Sequence, residues 1–244
     1  MTSAALPDGV VVVRIDQGAV RNAINSETAE RLFQAFTDFD ADPDAKVAVL
    51  TGDDAAFCAG ANLRDLPKVR DSGPLGPTRL ALGKPVIAAI EGWCVAGGVE
   101  LAAWCDLRVA GRSARIGCLE RRWGVPLIDG GTVRLPQIVG LGRALDLILT
   151  GREIGTEEAE RMGFLTRVVD DGQALPAAIE LAAEIAAFPW LGVVNDRRSV
   201  YAGLGLDQAA ALAVEDELGK QTIFADGFRE GVARFNDHQS ARDR

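Results

Sequence analysis

The stretch Val86-Ile-Ala-Ala-Ile-Glu-Gly-Trp-Cys-Val-Ala-Gly97-Gly98-Val-Glu100-Leu101 decides the fold class. Residues 86–90 are an apolar run and read as a buried strand. Gly92 breaks it. Gly97-Gly98 then opens a helix that the pattern carries to about Trp104. Free amide N–H groups at such a start converge on one small volume and favour negative charge, and glycine lets a ligand approach the backbone closely. Glu100 lies three residues after Gly97, on the same side of the first turn. A backbone anion hole beside a carboxylate is one reading of this pattern. A surface glutamate that complements the helix dipole is the other.

On either side of this stretch strands and helices alternate. Residues 10–15 and 47–50 read as strands. Between them a helix spans about 27–39, capped by Asn25 or Ser26, with Ala29, Leu32, Phe33 and Phe36 on one face. Residues 107–110 form a further strand candidate. The Gly- and Pro-containing stretch 66–83 reads as an irregular connection with a short helical piece at 78–82. From Gly142 onward helices dominate: 142–149, 156–162 with Thr156 as cap and Gly163 as stop, 175–188, 206–224 and 227–238. Alternation first and helices last imply an α/β core followed by a helical C-terminal part. No internal repeat of fixed period is visible.

Composition narrows the function. A chain of 244 residues with 48% hydrophobic and 25% charged residues is globular in make-up, which excludes disordered, collagen-like and coiled-coil classes. Lys+Arg 26 against Asp+Glu 35 gives a net charge of −9, which disfavours nucleic acid as a partner. The one histidine, His238, stands in the C-terminal tail, so His-based zinc or triad chemistry is not expected. Cys58, Cys94, Cys105 and Cys118 show no C-x-x-C spacing and read as small core residues. Residues 1–8 carry no basic region followed by a long apolar run, and no stretch approaches the ~20 apolar residues of a membrane span. The expected location is the cytoplasm, with no membrane partner.

Several motifs fail. Gly83-Lys84 is followed by Pro85, so there is no phosphate-binding P-loop. Gly140-Leu141-Gly142 lacks the third glycine of a dinucleotide fingerprint and a leading strand. G-x-S-x-G is absent. What remains is the small-residue loop Phe57-Cys-Ala-Gly-Ala-Asn-Leu63, readable as a tight turn or as a second backbone donor loop. Glu120 adds a carboxylate in Ile116-Gly-Cys-Leu-Glu-Arg-Arg-Trp-Gly-Val-Pro126, readable as a solvated ion pair with its arginines or as part of a site.

Taken together, these segments resemble the crotonase (enoyl-CoA hydratase/isomerase) superfamily. The resemblance rests on Arg21-Asn-Ala-Ile-Asn25, Ala56-Phe-Cys-Ala-Gly-Ala-Asn-Leu63, Lys84-Pro-Val-Ile-Ala-Ala-Ile90, Ala96-Gly-Gly-Val-Glu-Leu101, Cys105-Asp106 and Gly130-Gly-Thr-Val-Arg-Leu-Pro136. It is strongest over about residues 10–170. The fold it implies is a spiral of ββα units over residues 1–190, with residues 191–244 as a helical region that builds a homotrimer, often paired into a hexamer. The ligand it implies is an acyl-coenzyme A thioester, with coenzyme A part of the substrate and no separate cofactor or metal. By the same resemblance, the N–H groups of Ala61 and Gly97 form an oxyanion hole, and Glu100 and Glu120 are the acid/base pair. Arg21, Asn22, Ala23, Ala59, Asn62 and Leu63 line the coenzyme A groove.

Five departures stand out, one of them the C-terminal stretch Phe235-Asn-Asp-His-Gln239, which lacks the basic residues that the family often has there. Asn62 occupies a position where the family usually has Asp, which exchanges a loop-ordering salt bridge for a neutral hydrogen bond. The connection 63–84 is short. Trp123-Gly-Val-Pro-Leu-Ile-Asp129 replaces a run of small residues, so Trp123 either closes the pocket or packs in the core. Asp129 adds a third carboxylate close to where related isomerases place an acid. Both glutamates are retained, so the expected activity is hydration of a 2-enoyl-CoA. A double-bond isomerase and a noncatalytic acyl-CoA-binding homologue are the alternatives.

Overall fold

The apolar runs of the N-terminal half become strands shared between two sheets. β1 (Thr2–Ala5) and β2 (Val10–Arg14) precede α1 (Ser26–Ala41). β3 (Val47–Thr51), β4 (Ala56–Cys58), β5 (Val86–Ile90) and β6 (Trp93–Val95) lead into α2 (Gly97–Trp104), then β7 (Leu107–Gly111) and β8 (Arg115–Gly117). After a 3-10 turn over Leu119–Trp123 come α3 (Gly131–Val139), α4 (Leu141–Thr150), β9 (Glu153–Gly155), α5 (Thr156–Arg161), β10 (Arg167–Val169) and α6 (Ala174–Ala186). α7 (Trp190–Gly203), α8 (Gln208–Ile223) and α9 (Asp226–Arg242) complete the order. The computed structural model describes residues 2–242, with side chains to residue 237; the side chain of His238 lies outside the described residues.

Two units are distinguishable, Met1–Ala183 and Glu184–Arg244. In the first, the larger sheet has the order β1-β2-β3-β5-β7-β10 and the smaller one β4-β6-β8-β9. Pairing is parallel except at one edge of each sheet, β1 with β2 and β8 with β9. Each pass of the chain places one strand in the large sheet and the next in the small one: β3 then β4, β5 then β6, β7 then β8. This is the expected spiral. β3 (VAVLT) and β5 (VIAAI) are buried at every position, as parallel strands covered on both faces must be. α1 turns Ala29, Leu32 and Phe36 inward, and the Phe36 ring meets Trp104 of α2 edge-on at 4.8 Å. The second unit is helical, α7 packing on α8 through Asn195, whose side chain donates to the Leu218 carbonyl at 3.2 Å.

α2 is buried along its whole length. Its C-terminus therefore needs a partner for its last carbonyls. Arg108 of β7 supplies it: the buried guanidinium donates to the carbonyls of Ala102 (3.2 Å), Cys105 (2.7 Å) and Asp106 (3.3 Å), and also to that of Phe164. A cation is well placed at this negative end of the helix dipole.

The structure corrects some expectations. No helix forms at 78–82; the segment is turns, with Pro77 in place and the Thr78 hydroxyl engaged elsewhere. Thr156 is not a cap. Gly155 takes that position and the Thr156 hydroxyl donates to the Arg112 carbonyl at 2.7 Å. The three-residue strands β4, β6, β8, β9 and β10, the helices α3 and α7, and β1 are additions to the elements that the sequence pattern predicts. All four cysteines are free and buried, and burial pushes the Cys58 and Cys118 thiols up to about 12. Among the described residues no single helix is long and apolar enough to cross a membrane.

Arg108→Leu is expected to lower unfolding free energy by about 3 kcal/mol or more, because it strands several buried carbonyls at once. A urea-unfolding midpoint equal to that of wild type rejects this account of the helix end.

Candidate active site

Two backbone segments meet at the front of α2. Gly60, two residues past β4, has φ +87°, and a Cβ built there would stand 2.7 Å from the Gly97 nitrogen. At Gly98 a Cβ would stand 2.0 Å from the Cys58 carbonyl oxygen. Only glycine permits this approach.

The contact sets two N–H groups side by side. Ile24 donates to the Gly60 carbonyl at 2.7 Å and accepts from the Asn62 N–H at 2.8 Å. That bridge uses the groups flanking Ala61 and turns the N–H of Ala61 itself to the opposite edge. Gly97 is the first residue of α2, so its N–H has no intrahelical acceptor. Among the described residues no acceptor takes either N–H. Ala96, between β6 and α2, is held at φ 52°, ψ −127°, a strained conformation for a residue with a Cβ. Its N–H donates to the Gly117 carbonyl and its own carbonyl accepts from Val99, both at 2.9 Å.

Three carboxyl groups share the cavity in front of these donors. Glu100, 3% exposed, accepts through Oε1 from the N–H groups of Asp129 (2.9 Å) and Gly131 (2.8 Å). Burial chiefly pushes its carboxyl up to about 7. The two N–H groups oppose the shift, and the charges of Asp129 and Glu120 add to it. Glu120, 4% exposed in the 3-10 turn, takes no hydrogen bond from another residue at either oxygen; burial pushes its carboxyl above the usual range, against its own backbone N–H and Arg121. Asp129, 2% exposed, accepts through Oδ1 from the Leu75 N–H (3.0 Å) and the Thr78 hydroxyl (2.5 Å). Burial raises it too, against those donors and against Arg79 and Arg134.

The cavity has a volume of about 210 Å³. Ala61, Gly97, Glu100, Glu120 and Asp129 all line it, so the residues singled out as chemical come together. Ala59, Leu63 and Trp123 form more of its wall. Trp123 is 73% exposed, which excludes the core-packing reading and leaves the indole at the mouth. Leu75, Pro74 and Ile128 line the cavity without having been expected to. Nothing in the irregular stretch 66–83 marked Leu75 beforehand.

Arg21, Asn22, Ala23 and Asn62 do not line the cavity. The side chain of Asn22 is fully buried. It accepts from the Gln17 N–H (2.8 Å) and donates to the Ala56 carbonyl (2.6 Å) and Asp53 (3.2 Å), so it is spent on holding the loop. Arg21 is exposed, its guanidinium 5.8 Å from the Trp93 ring centre, and its carbonyl accepts from the Ala59 N–H. The Asn62 side chain accepts from the Arg64 N–H at 3.0 Å, a neutral turn bond. Among the described residues no group of three or more His, Cys, Asp or Glu is arranged to hold a metal ion.

The family model for enoyl-CoA hydratase/isomerase matches residues 6–242. Enoyl-CoA hydratase EchA19 of Mycobacterium tuberculosis is 36% identical over 242 residues, covering 94% of this chain and 91% of that protein. The short-chain-enoyl-CoA hydratase of Clostridium acetobutylicum is 32% identical, with 93% and 90% covered. Among solved structures, an enoyl-CoA hydratase from Mycobacterium tuberculosis superposes with a TM-score of 0.92 at 32% identity, covering 97% of this chain and 95% of that one. Spiral, site and relatives agree: the chain belongs to the enoyl-CoA hydratase/isomerase family, the crotonase superfamily.

Proposed function

We propose that this chain hydrates a trans-2-enoyl-CoA thioester. The observation that carries the reading is one cavity holding two buried glutamates and two N–H groups that the fold does not use. The thioester oxygen sits between the N–H groups of Ala61 and Gly97. Water adds to C3, the C2=C3 electron pair moves to C2, and the charge that develops on the oxygen meets both donors. Loss of one such donor typically costs about 10²–10³ in rate. Glu100 carries two N–H donors, which favour its charged form, so it takes the proton from water. Glu120, whose carboxyl burial also raises, is the partner that gives its proton to C2. Atoms balance with substrate, water and the two carboxyls alone; coenzyme A enters as part of the substrate, and no separate cofactor or metal takes a step.

The same proposal includes assembly and location. α8 and α9 expose Leu212, Phe228, Val232 and Phe235, the kind of apolar surface that a neighbouring subunit covers. We assign a homotrimer, or two trimers paired into a hexamer, and the cytoplasm, where free cysteines persist. Light scattering should give three or six times the 25.8 kDa chain mass; a monomer refutes the assembly.

The test of activity is loss of conjugated-thioester absorbance on a panel of 2-enoyl-CoA substrates, with products weighed. A product heavier by one water supports hydration, one of equal mass is isomerisation, and no turnover leaves binding alone. Glu100→Gln and Glu120→Gln are each expected to lower kcat by about 10²–10⁴. Activity retained in both variants removes these residues from the chemistry.

The raised carboxyl of Glu100 also predicts a pH effect on stability. Below its unfolded value of 4.5 the group is protonated folded and unfolded, and costs nothing. As pH rises toward about 7 the unfolded chain ionises first, so stability falls. Glu100→Gln keeps the oxygen that accepts from Asp129 and Gly131 and removes the titration. It should gain on wild type between those two values, by about 3 kcal/mol at the upper end. A difference that does not change with pH rejects the burial account of Glu100.

A further inference from the structure

We propose that Asp129 is a positioning residue that sets two walls of the site at once: its backbone N–H holds Glu100, and its carboxylate holds the 73–79 segment over the oxyanion donors. This rests on the hydratase reading above. The carboxylate is the centre of a staple. Its Oδ1 takes the Leu75 N–H and the Thr78 hydroxyl, across 54 and 51 residues of chain. Arg134 closes the same joint from α3, donating to the carbonyls of Asp129 (3.0 Å) and Thr78 (2.6 Å). Arg79 donates back to the Ile128 carbonyl at 2.8 Å. Gly73 fits against the joint: a Cβ there would lie 2.0 Å from Thr78 Oγ1 and 2.7 Å from Asp129 Oδ1.

What the staple holds matters to the chemistry. Leu75 rests on Gly97, where a Cβ would stand 2.5 Å from Leu75 Cδ1. Leu75 therefore walls the space in front of one oxyanion donor. On the other side, the Asp129 N–H is one of the two donors on Glu100 Oε1. Movement of Asp129 displaces both the wall and the base, and a misplacement of about 1 Å can cost about 10²-fold in rate.

The carboxylate also acts through its charge. The charged groups facing Glu100 are Asp129 and Glu120; those facing Asp129 are Arg79 and Arg134. The nearby thiols of Cys58 and Cys118 are held neutral by burial. Asp129 thus adds a like charge that favours the protonated form of Glu100.

The test compares wild type, Asp129→Asn and Asp129→Ala in steady-state hydration from about pH 5 to about pH 9. Asn keeps an acceptor oxygen for Leu75 and Thr78 and removes the charge. Its kcat limb set by Glu100 should move down by about one pH unit, with KM within about threefold of wild type. Ala removes the staple, and kcat should fall about 10²-fold with a smaller change in KM; Asn should restore most of that loss. An unmoved limb in Asp129→Asn, or variants that change KM alone, overturns the proposal. If the Ala variant does not fold, the limb of the Asn variant decides. Failure of wild type to hydrate any substrate defeats the hydratase reading instead. Urea-unfolding midpoints of wild type, Asp129→Asn, Glu100→Gln and the double variant then decide. Coupled, pH-dependent effects support the proposal and strictly additive ones overturn it.

Discussion

The site depends on one close approach of backbone to backbone. The chain leaving β4 and the chain entering α2 come near enough that a Cβ at either Gly60 or Gly98 would overlap the other segment. Two N–H groups on different elements can then face one atom of a ligand, which a single helix start does not provide. The spiral makes this possible. β4 and β6 are parallel neighbours in the small sheet, so the segments that follow them leave the sheet side by side. Strain at Ala96 is tolerated because the bonds to Gly117 and Val99 fix it from both sides.

α2 is then treated differently at its two ends. At the C-terminus Arg108 covers the carbonyls, so the negative end of the dipole is compensated by a buried cation. At the N-terminus no side chain caps the helix. The helix is anchored where the fold supplies a partner and left unsatisfied at the end where the hydratase reading places the substrate oxygen.

Legibility in the sequence followed element length and locality. Residues 86–90 and 97–104 were readable because a strand of five apolar residues and a glycine-opened helix each have a local signature, and the resemblance pointed to Ala61, Gly97, Glu100 and Glu120. β4, β6 and β8 were not, since three residues are too few to show a period of two; their strand character comes from pairing with one another. α3 was hidden by Pro136 within it and the glycines at its start. Leu75 and Thr78 were invisible for a different reason. Their place is fixed by Asp129, more than fifty residues away, and no local pattern encodes such a bond. Asn22 shows the converse. The motif was visible, but its side chain is spent inside the fold.

The three carboxyls of the cavity show how chemically similar groups are given different tasks. Burial raises all three, so alone it would leave them alike. They also differ in the donors each one faces. Glu120 takes no hydrogen bond from another residue at either oxygen, and burial raises its carboxyl. Glu100 faces two backbone N–H groups on one oxygen, enough to bring its ionisation to about 7, where gaining and losing a proton are both accessible. Asp129 faces an N–H, a hydroxyl and two arginines, a set suited to a fixed anion. On the hydratase reading, a proton-transfer pair and a positioning carboxylate thus share one cavity, each with a different, graded supply of donors. Because those donors are mostly backbone N–H groups, the grading belongs to the fold as much as to the side chains.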